Sequence, residues 1–403
     1  MYSIILKLAW KNSFLRASRT LLVILMIAVS MSMMLSISGI YDGMVDNIAD
    51  KNKRSDSGDI SIYAKEYRVQ KDIKFRIKDA KEIKESIEKI EGVRSVIMRV
   101  KADGLISTAT KSSFASIIGI DISDEARFGK FGEFLKEGEV DLNDRGAVIG
   151  IEAAKKLKVH VGSKVVFSAQ DINGEINSIA LRIRGIVQTT NITLDRSAIF
   201  SDIKNVSKFL ALPDTEATQI SVMSEDEKVI EKIRSLYPGL DIKSFMELNP
   251  MIKQMQDLTL IFNSITFFIV MGVVFVGIFG VMYVSVLDRI REFGIVRALG
   301  MSYKYIRVQI ILESLVVGSL GYLGGSILGI IMLVYLKNHG IDLSAFSDAL
   351  EMWGYEAVIY AAIKTSYFTT SFIAIISASL LSVLIPLKKI KRLNPIDVIK
   401  AEV

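Results

Sequence analysis

The side chains that most often carry catalysis are sparse in this sequence. It holds two histidines, His160 and His339, in distant segments, and it has no cysteine. A catalytic triad or a histidine-based metal site needs several such groups close together, and thiolate chemistry needs a cysteine. The acidic residues are numerous, but they alternate with lysines as on a solvated surface. We therefore predict neither a catalytic site nor a metal site.

A loop for nucleotide phosphates is also missing from the sequence. The pattern GxxxxGK[ST], whose backbone amides cradle phosphates, does not occur in the 403 residues. We therefore expect that this chain is not an enzyme and binds no cofactor of its own.

The segment 288–304, DRIREFGIVRALGMSYK, has the pattern of a short amphipathic helix. Its apolar residues recur at helical spacing, at Ile290, Phe293, Val296 and Leu299. Arg291 and Arg297 lie mostly off that face. Gly300 is a good helix terminator, and Ser302 can cap the next helix. A helix of this kind either lies on lipid headgroups or docks a cytoplasmic partner.

Glycines follow a strict register in the apolar stretch after this segment. Gly321, Gly325 and Gly329 stand at positions i, i+4 and i+8. Such a face lets another helix approach closely, which favours association inside a membrane. We predict that these three glycines pack against another helix, either of this chain or of a second subunit.

The first apolar stretch combines small residues with methionines. Ala28, Ser32 and Ser36 share one register, and Met26 and Met33 lie among them. Methionine adapts to varied apolar shapes, so this helix could line a cavity for acyl chains. A packed or lipid-facing helix is the alternative interpretation. The candidate cavity residues are Met26, Ala28, Ser32, Met33 and Ser36.

An acidic residue, Glu313, stands inside another apolar stretch. Such a residue is costly in a membrane and often functional. Because it follows Arg307 by about a turn and a half and lies near the interface, we favour a structural role, either interfacial or paired with that arginine.

Four stretches are long enough and apolar enough to cross a bilayer, and only Glu313 interrupts them. They are residues 20–41, 258–287, 308–336 and 365–387. A span needs about 20 apolar residues at about 1.5 Å rise each. Because backbone groups in lipid must bond within their own segment, we predict four transmembrane helices. The second stretch is near 45 Å long as a helix, so it tilts or protrudes as a stalk continuous with 251–257.

Basic residues flank the spans on one side. They are Lys7, Lys11, Arg16 and Arg19 before the first span; Arg289, Arg291, Arg297, Lys304 and Arg307 between the second and third; and Lys388, Lys389, Lys391, Arg392 and Lys400 after the last. Short basic loops stay in the cytoplasm. We therefore expect both termini inside and residues 42–256 outside. The net charge of +6 then reflects topology, and we expect no nucleic-acid partner.

The stretch 42–256 is polar enough to form a soluble α+β domain. Residues 78–91 predict a helix with Ile83, Ile87 and Ile90 on one face. A second strand–helix–strand pattern lies near 217–245, and the two units could form one sheet-and-helix layer. We predict an inserted subdomain of short strands at about 123–213, with a turn at Asn173-Gly174.

These patterns divide the chain into predicted segments. They are a cytoplasmic N-terminus (1–19), transmembrane helix 1 (20–41), the extracytoplasmic domain (42–256), transmembrane helix 2 (257–287), a cytoplasmic helix (288–304), transmembrane helix 3 (305–336), an outer loop (337–364), transmembrane helix 4 (365–387) and a cytoplasmic tail (388–403).

Several segments resemble one family of transporters. REFGIVRALG (291–300), followed by the glycine-rich span, closely resembles the signature of FtsX-like and MacB-like ABC transporter permeases. The tail RLNPIDVIKAE (392–402) and the entry AWKNSFLRASRTLL (9–22) resemble the two ends of that family. GAVIGIEAAKKLKVHVGSKVVFSAQ (146–170) looks like its periplasmic core. The resemblance implies a membrane α-helical fold with four transmembrane helices plus an α+β extracytoplasmic domain of MacB periplasmic-core type.

Within that family, the layout looks most like the membrane subunits of the lipoprotein-releasing, Lol-type transporter. The resemblance implies a separate cytoplasmic ATPase that holds ATP and Mg²⁺, a second permease subunit in a homo- or heterodimer, and a periplasmic lipoprotein carrier. It implies an inner-membrane location among membrane lipids and movement driven by mechanotransmission. The residues that match the family's ATPase-coupling motif are Arg291, Glu292, Gly294, Ile295, Arg297, Ala298, Leu299 and Gly300.

Three alternatives stay open from the sequence. A MacB-type efflux permease for a small molecule or peptide shares the topology, although that type usually carries a fused ATPase. An FtsX-type regulator of cell-wall hydrolases would signal across the membrane, although its outer domain is much smaller than 42–256. A membrane-anchored receptor unrelated to this family is the third.

Overall fold

The computed structural model describes residues 2–14, 16–189, 191–226, 228–346 and 357–391. The chain divides into two units. One takes in residues 1–45, 255–343 and 358–403, and we call it the membrane domain. The other takes in residues 46–254 with 344–357, and we call it the α/β domain. The predicted tail motif 392–402 and most of the middle of the predicted outer loop lie outside the described residues.

The elements follow one another along the chain as helices α1–α15 and strands β1–β12. The helices are α1 (Tyr2–Ser13), α2 (Ala17–Asn52), α3 (Tyr67–Gln70), α4 (Ala80–Ile87), α5 (Ile122–Phe128), α6 (Ile151–Leu157), α7 (Ile192–Ser197), α8 (Ile203–Phe209), α9 (Val229–Leu236), α10 (Phe245–Leu248), α11 (Pro250–Asp288), α12 (Ile290–Ala298), α13 (Tyr303–His339), α14 (Thr365–Ser382) and α15 (Leu384–Lys391). The strands are β1 (Ile60–Ala64), β2 (Val93–Ser107), β3 (Ser112–Ile120), β4 (Leu135–Gly138), β5 (Gly146–Gly150), β6 (Lys164–Gln170), β7 (Ile176–Val187), β8 (Ala198–Asp202), β9 (Gln219–Ser224), β10 (Leu240–Ser244), β11 (Ile341–Asp342) and β12 (Val358–Ile359).

Four helical segments of the described residues are long and apolar enough to cross a membrane, as predicted. They are α2, α11, α13 and the segment formed by α14 and α15. Helix α2 has 36 residues and α11 has 39. At about 1.5 Å per residue they measure about 54 and 58 Å, well beyond the ~30 Å hydrocarbon core. The predicted stalk residues 251–257 belong to α11 and continue the second span without a break.

The glycine face of α13 packs against α2 of the same chain. A Cβ placed on Gly321 would lie 2.7 Å from the Cβ of Ile27, and one placed on Gly325 would lie 2.8 Å from the Cβ of Met31. The next glycine in register, Gly329, meets Leu35 in the same way. The three α2 residues also repeat every fourth position, so a ridge of side chains enters a groove without side chains. The structure thus gives the glycine face a partner within the chain.

The five candidate cavity residues of α2 do not lie on one face. Ala28 is buried beside Gly324, and the buried Ser36 donates its hydroxyl to the carbonyl of Ser32 at 2.8 Å. Met26 lies against Gly277, whereas Met33 is 64% exposed. At about 100° per residue, Met26 and Met33 lie on a different side of the helix from the small residues. The structure therefore does not bring these five side chains together around one cavity.

One layer of the α/β domain is a four-stranded antiparallel sheet with two helices. Its strand order is β10-β1-β9-β2, and α4 and α9 connect β1 to β2 and β9 to β10. This is the β-α-β-β-α-β arrangement called ferredoxin-like. Ile87 of α4 and Ile233 of α9 are fully buried in its core with Ile62 and Val222 of the sheet. The predicted pairing of two strand–helix–strand units into one layer is confirmed.

The inserted part of the α/β domain is a closed ring of six strands. Strand β2 pairs with β3, followed by β8, β5 and β7, and β6 pairs with both β7 and β2 to close the ring. The strand patterns predicted in this region correspond to β5, β6, β7 and β8, and Gly174 turns between β6 and β7 with φ +90°.

The predicted start of the insert near residue 123 is too late. Strand β2 is 15 residues long, and it serves both layers. Residues 93–99 pair with β9, whereas 100–107 pair with β3. The ring therefore begins at about residue 100 in the middle of a strand, where the sequence carries no turn signal.

A methyl group on the glycine face should destabilise the membrane domain. We expect Gly325→Ala to lower the free energy of unfolding by about 1–3 kcal/mol, because the added carbon would overlap Met31 in a packed core. Thermal unfolding of the purified protein in detergent measures the change. Gly272→Ala in α11 is the matched control, since a Cβ there meets nothing within 4 Å. Equal melting temperatures for the two variants would contradict the close contact.

Candidate functional site

The amphipathic segment predicted at 288–304 forms helix α12, with the predicted end signals in place. The helix runs from Ile290 to Ala298, and Gly300 follows in the left-handed region at φ +92°. The hydroxyl of Ser302 then accepts a hydrogen bond from the amide of Lys304 at the start of α13, at 3.4 Å. Glycine and serine therefore define a short helix between two long ones.

One side of α12 is anchored in the membrane domain. Phe293 is 4% exposed and belongs to the core of the membrane domain, and Gly294 beside it is buried. The guanidinium of Arg289 lies over the Phe293 ring, 5.1 Å from its centre. Arg297 donates to the backbone carbonyl of Ile390 in α15 at 3.1 Å. A displacement of α12 must therefore act on residues of α11 and α15.

The other side of α12 is open and combines apolar with charged side chains. Leu299 is 83% exposed and Ile295 46% exposed. The remaining exposed members of the predicted coupling set are Arg291, Glu292, Ala298 and Gly300. The prediction that Leu299 shares the inner face with Phe293 is wrong, because Leu299 follows the last residue of the helix and points away from the core. Large apolar side chains bordered by charge are typical of a protein-docking surface.

Glu313 lies deep in the membrane domain, and its partner is an arginine other than the predicted one. Its side chain is 3% exposed, and its Oε1 accepts from Asn12 at 3.1 Å, from Arg289 at 3.1 Å and from Gln309 at 3.0 Å. The predicted partner, Arg307, is exposed. Six helical residues turn by about 600°, so that arginine lies on another side of α13. Arg289 reaches Glu313 from 24 residues away in sequence, which no spacing rule predicts.

A second ion pair lies nearby but near the surface. Asp288, the last residue of α11, contacts Arg16 at 2.6 Å and Arg19 at 3.7 Å. These side chains are about one third to one half exposed, in contrast to Glu313. Both pairs border a cavity of about 240 Å³. The residues at the α12 end of the spans thus form one buried and one exposed charge cluster.

A buried charge cluster also lies in the α/β domain. The guanidinium of Arg99 donates to both carboxylate oxygens of Glu125, at 2.6 and 2.8 Å, and both side chains are 1% exposed. Arg99 also donates to the backbone carbonyl of Asp56, while Lys101 pairs with the Asp56 carboxylate. Burial lowers the pKa of Lys101, although Asp56 opposes that shift. Sequence reasoning missed this cluster because its members are 43 and 26 residues apart.

This cluster holds the π-helical turn Lys53–Ser57 that follows α2. The ammonium group of Lys53 contacts Asp59 at 2.8 Å, and Arg54 donates to the carbonyl of Gly129 at 3.0 Å and to Glu133. With Asp56, every charged residue of the turn has a partner in the α/β domain. Short π-helical turns are frequent at functional sites. The C-terminal end of the long helix α2 is therefore fixed firmly within this domain.

A cavity of about 410 Å³ lies beside this turn in the α/β domain. Tyr63, Tyr67 and Lys101 line it on one side, and Phe114 lines it on another. The hydroxyl of Tyr67 donates to the carbonyl of Lys101 at 3.1 Å, and burial raises the pKa of Tyr67 to about 12. Three cations line the cavity, and each has a carboxylate partner: Lys101 pairs with Asp56, Lys71 with Asp103 and Arg68 with Asp241.

Breaking the Arg99–Glu125 pair should destabilise the α/β domain strongly. Glu125→Ala leaves a buried guanidinium without its main partner, which costs about 3–5 kcal/mol. The control is Glu225→Ala, since Glu225 contacts Arg94 at 3.2 Å but both side chains are more than 60% exposed. An exposed pair contributes about 0–1 kcal/mol. Urea unfolding followed by circular dichroism compares the two, and equal losses would refute the burial argument.

Alkaline pH should reveal the buried hydroxyl of Tyr67. Its pKa rises from 10.0 unfolded to about 12 folded, so this stabilisation is complete below pH 10 and is lost as pH rises through 12. We expect the stability of the wild type to fall more steeply over that interval than the stability of Tyr67→Phe, by about 2 kcal/mol. Unfolding midpoints at pH 8 and pH 11.5 measure the difference. Parallel pH profiles would show that the hydroxyl is not held in its protonated form.

Two protein families match the chain. The family described as "MacB-like periplasmic core domain" matches residues 20–236, and the family described as "FtsX-like permease C-terminal" matches residues 264–395. The first match alone covers more than half of the chain. The second covers α12 and the glycine face of α13.

Individual relatives are distant. The macrolide export ATP-binding/permease protein MacB of Pasteurella multocida is 26% identical over 269 residues, which cover 65% of this chain and 37% of that protein. An uncharacterised ABC transporter permease of Methanocaldococcus jannaschii is 26% identical, with 99% of this chain and 98% of that one covered. The lipoprotein-releasing system transmembrane protein LolE of Haemophilus influenzae is 22% identical, with 77% and 78% covered.

The chain spans only 37% to 38% of the length of the Pasteurella and Haemophilus ducreyi MacB proteins that it matches. Its two family matches nevertheless follow the two units of the structure closely, with the periplasmic core on the α/β domain and the permease region on α11–α15. The chain belongs to the family of FtsX-like and MacB-like ABC transporter permeases.

Proposed function

We propose that this permease extrudes lipoproteins from the inner membrane, driven by ATP that a separate subunit hydrolyses. The observation that carries the proposal is the two-sided helix α12, with Phe293 anchored in the membrane domain and Leu299 and Ile295 exposed. One side of this helix is buried in the membrane domain, and the other side exposes apolar side chains. A partner protein that binds the exposed side can therefore displace the helix. We name it the coupling helix.

The partner in this proposal is a cytoplasmic ATPase subunit that holds ATP and Mg²⁺. Its surface covers Ile295, Ala298 and Leu299, while Arg291 and Glu292 fix its orientation through charge. Apolar side chains that become fully covered in the middle of an interface supply most of the binding energy. Phe293 and Arg297 then transmit the displacement to the rest of the membrane domain.

Transmission to the α/β domain uses the two helices that are longer than the bilayer is thick. Both α2 and α11 begin in one unit and end in the other without a break. At the end of α2, the clamp of Arg99, Glu125 and Asp56 resists slippage of the π-helical turn. A movement of the spans is thereby delivered as a movement of the α/β domain, which is the mechanotransmission that we propose. A second permease subunit, identical or different, completes the transporter.

The orientation follows from the basic flanks of the spans. Both termini and the coupling helix lie in the cytoplasm, and the α/β domain lies in the periplasm of an inner-membrane protein. There it hands the acylated protein to a soluble carrier. Lipoprotein as the cargo is supported by the match to LolE and LolC, which extends over 78% and 63% of their lengths, whereas the matches to MacB proteins extend over 37% to 59%.

MacB-type efflux is the second candidate, and a specific observation favours it. The periplasmic core of MacB type matches residues 20–236, and MacB proteins recur among the relatives at 23% to 26% identity. The cargo would then be a small molecule or a peptide. An FtsX-type signalling role has less support, because it assigns no role to the large ring of β2, β3 and β5–β8.

A charge on the outer side of the coupling helix should prevent ATPase binding. We expect Leu299→Glu to weaken co-purification with the ATPase subunit from the same genome at least about tenfold, because a carboxylate would be buried in an apolar interface. The control is Ile176→Glu, which places the same charge on an equally exposed apolar position of the α/β domain. Undiminished binding by Leu299→Glu would refute the docking face.

Depletion of the permease in cells distinguishes the cargoes. If it releases lipoproteins, depletion should leave outer-membrane lipoproteins in the inner membrane, as measured by membrane fractionation. Normal lipoprotein sorting together with accumulation of a small molecule would refute lipoprotein release and favour efflux.

A further inference from the structure

A single carboxylate oxygen joins three elements next to the coupling helix. Oε1 of Glu313 accepts from Asn12 of α1, from Arg289 immediately before α12, and from Gln309 of its own helix α13, at 3.0–3.1 Å. The side chain is 3% exposed, and Arg289 is 15% exposed. A hydrophobic residue at position 313 would fill the same space without these hydrogen bonds. Burial alone therefore does not explain why this position carries a carboxylate.

Two ion pairs lie at the start of the coupling helix, one to the N-terminal segment and one to α13, and burial distinguishes them. The pair of Asp288 with Arg16 is partly exposed, so water competes for both groups. The contact of Arg289 with Glu313 is buried, so neutralising Glu313 leaves Arg289 with Glu292 of α12 itself as its counter-ion, at 3.1 Å and 67% exposed. The position of the coupling helix therefore depends on Glu313 far more than on Asp288.

A further hydrogen bond connects α1 to α2, the helix that contains the first span. The hydroxyl of Thr20, in the first turn of α2, donates to the carbonyl of Ser13 at the end of α1, at 2.6 Å. Both residues are buried. Hydrogen bonds thus lead from Arg289 through Glu313 to Asn12, and from the next residue in the chain, Ser13, to the base of α2.

We propose that Glu313 is a positioning residue that locks the start of the coupling helix to α1, so that both move as one body with the first span. The role of the coupling helix in ATPase docking is part of the proposed function, and this inference rests on it. The locked position itself, however, belongs to the membrane domain and is measurable without a partner.

The chemistry of the cluster predicts that its charges can be exchanged. Asn12 and Gln309 are amides, which carry an acceptor oxygen as well as donor N–H groups. Rotation of both amides would let them accept from an arginine at position 313. The double variant Glu313→Arg with Arg289→Glu therefore keeps one positive charge, one negative charge and both amide bonds, whereas Glu313→Gln removes the charge alone. The new carboxylate would lie near Glu292, but Glu292 is 67% exposed, so water screens that repulsion.

The first experiment measures position in the full-length permease in lipid nanodiscs. The chain has no cysteine, so Lys11→Cys on α1 and Ala298→Cys on the coupling helix introduce two unique nitroxide sites on exposed residues. We expect Glu313→Gln to widen the distance distribution between the labels at least about twofold, because Arg289 then keeps only the exposed Glu292 of its own helix as a counter-ion and no longer ties that helix to the buried cluster. Asp288→Asn, the matched control, should leave the width unchanged, and the charge-exchanged double variant should restore it.

The second experiment uses unlabelled protein and the ATPase subunit. We expect Glu313→Gln to bind that subunit within about twofold of the wild-type Kd, since the outer face of the helix is intact, while permease-stimulated ATP hydrolysis falls about tenfold. A residue that only stabilises the fold would lower the melting temperature without this split between binding and stimulation. Rescue of stimulation by the double variant supports the lock.

The outcomes separate the two proposals. An unchanged label distance in Glu313→Gln, or a loss of position that the double variant does not restore, overturns the role of Glu313. If the wild type fails to bind any ATPase subunit, the proposed function fails, but the label distances still test the lock. If Glu313→Gln does not fold, Asn12→Ala removes only the bond to α1, and an unchanged width there overturns the inference.

Discussion

The packing of the membrane domain depends on the close contact between α13 and α2. Three glycines of α13 leave a groove, and Ile27, Met31 and Leu35 of α2 fill it so closely that one added carbon at Gly325 would lie 2.8 Å from Met31. Lipid tails are as apolar as these side chains, so no hydrophobic effect pulls the helices together. Close packing must do so, and it fixes the height of α2 relative to α13. The positions of Thr20 and Glu313 follow from that height.

Polar groups at the end of these helices restrict the packed helices to one relative position. Dispersion between smooth apolar surfaces tolerates sliding and rotation, whereas the bonds of Glu313 to Asn12 and Arg289 hold only in one arrangement. Buried charged groups have the same role in the α/β domain, where Arg99 and Glu125 hold the turn after α2. The turn at the C-terminal end of α2 is thus held by buried charge, its first turn is bonded to α1 through Thr20, and its middle packs against the glycines of α13.

The sequence predicted the parts of this structure that depend on local patterns. The four spans, helix α12 with Gly300 and Ser302, and strands β5 to β8 each follow from composition or spacing within a few residues. The coupling set 291–300 followed from a motif. Its division into an inner side at Phe293 and an outer side at Leu299 needed the structure, because the periodic pattern assigned both to one face.

Long-range contacts explain what sequence reasoning missed. The arginine that pairs with Glu313 stands 24 residues away across a turn, and the members of the Arg99 cluster come from three elements. The candidate cavity on α2 failed for a related reason. Residue type alone selected Met26 and Met33, while the face that each residue occupies is set by neighbours such as Gly277 and Gly324.

The order of strands in the α/β domain has a consequence for synthesis on the ribosome. Among the described residues, strand β1 pairs with β9 and β10, which are made more than 150 residues later, while the ring of β2, β3 and β5–β8 has all its strands before β9. The ring can therefore close first, while Ile60 and Ile62 of β1 wait without a partner beside a span already in the membrane. Since only the short helix α10 separates β10 from α11, the first layer is completed only as the second span emerges, which ties maturation of this domain to membrane insertion.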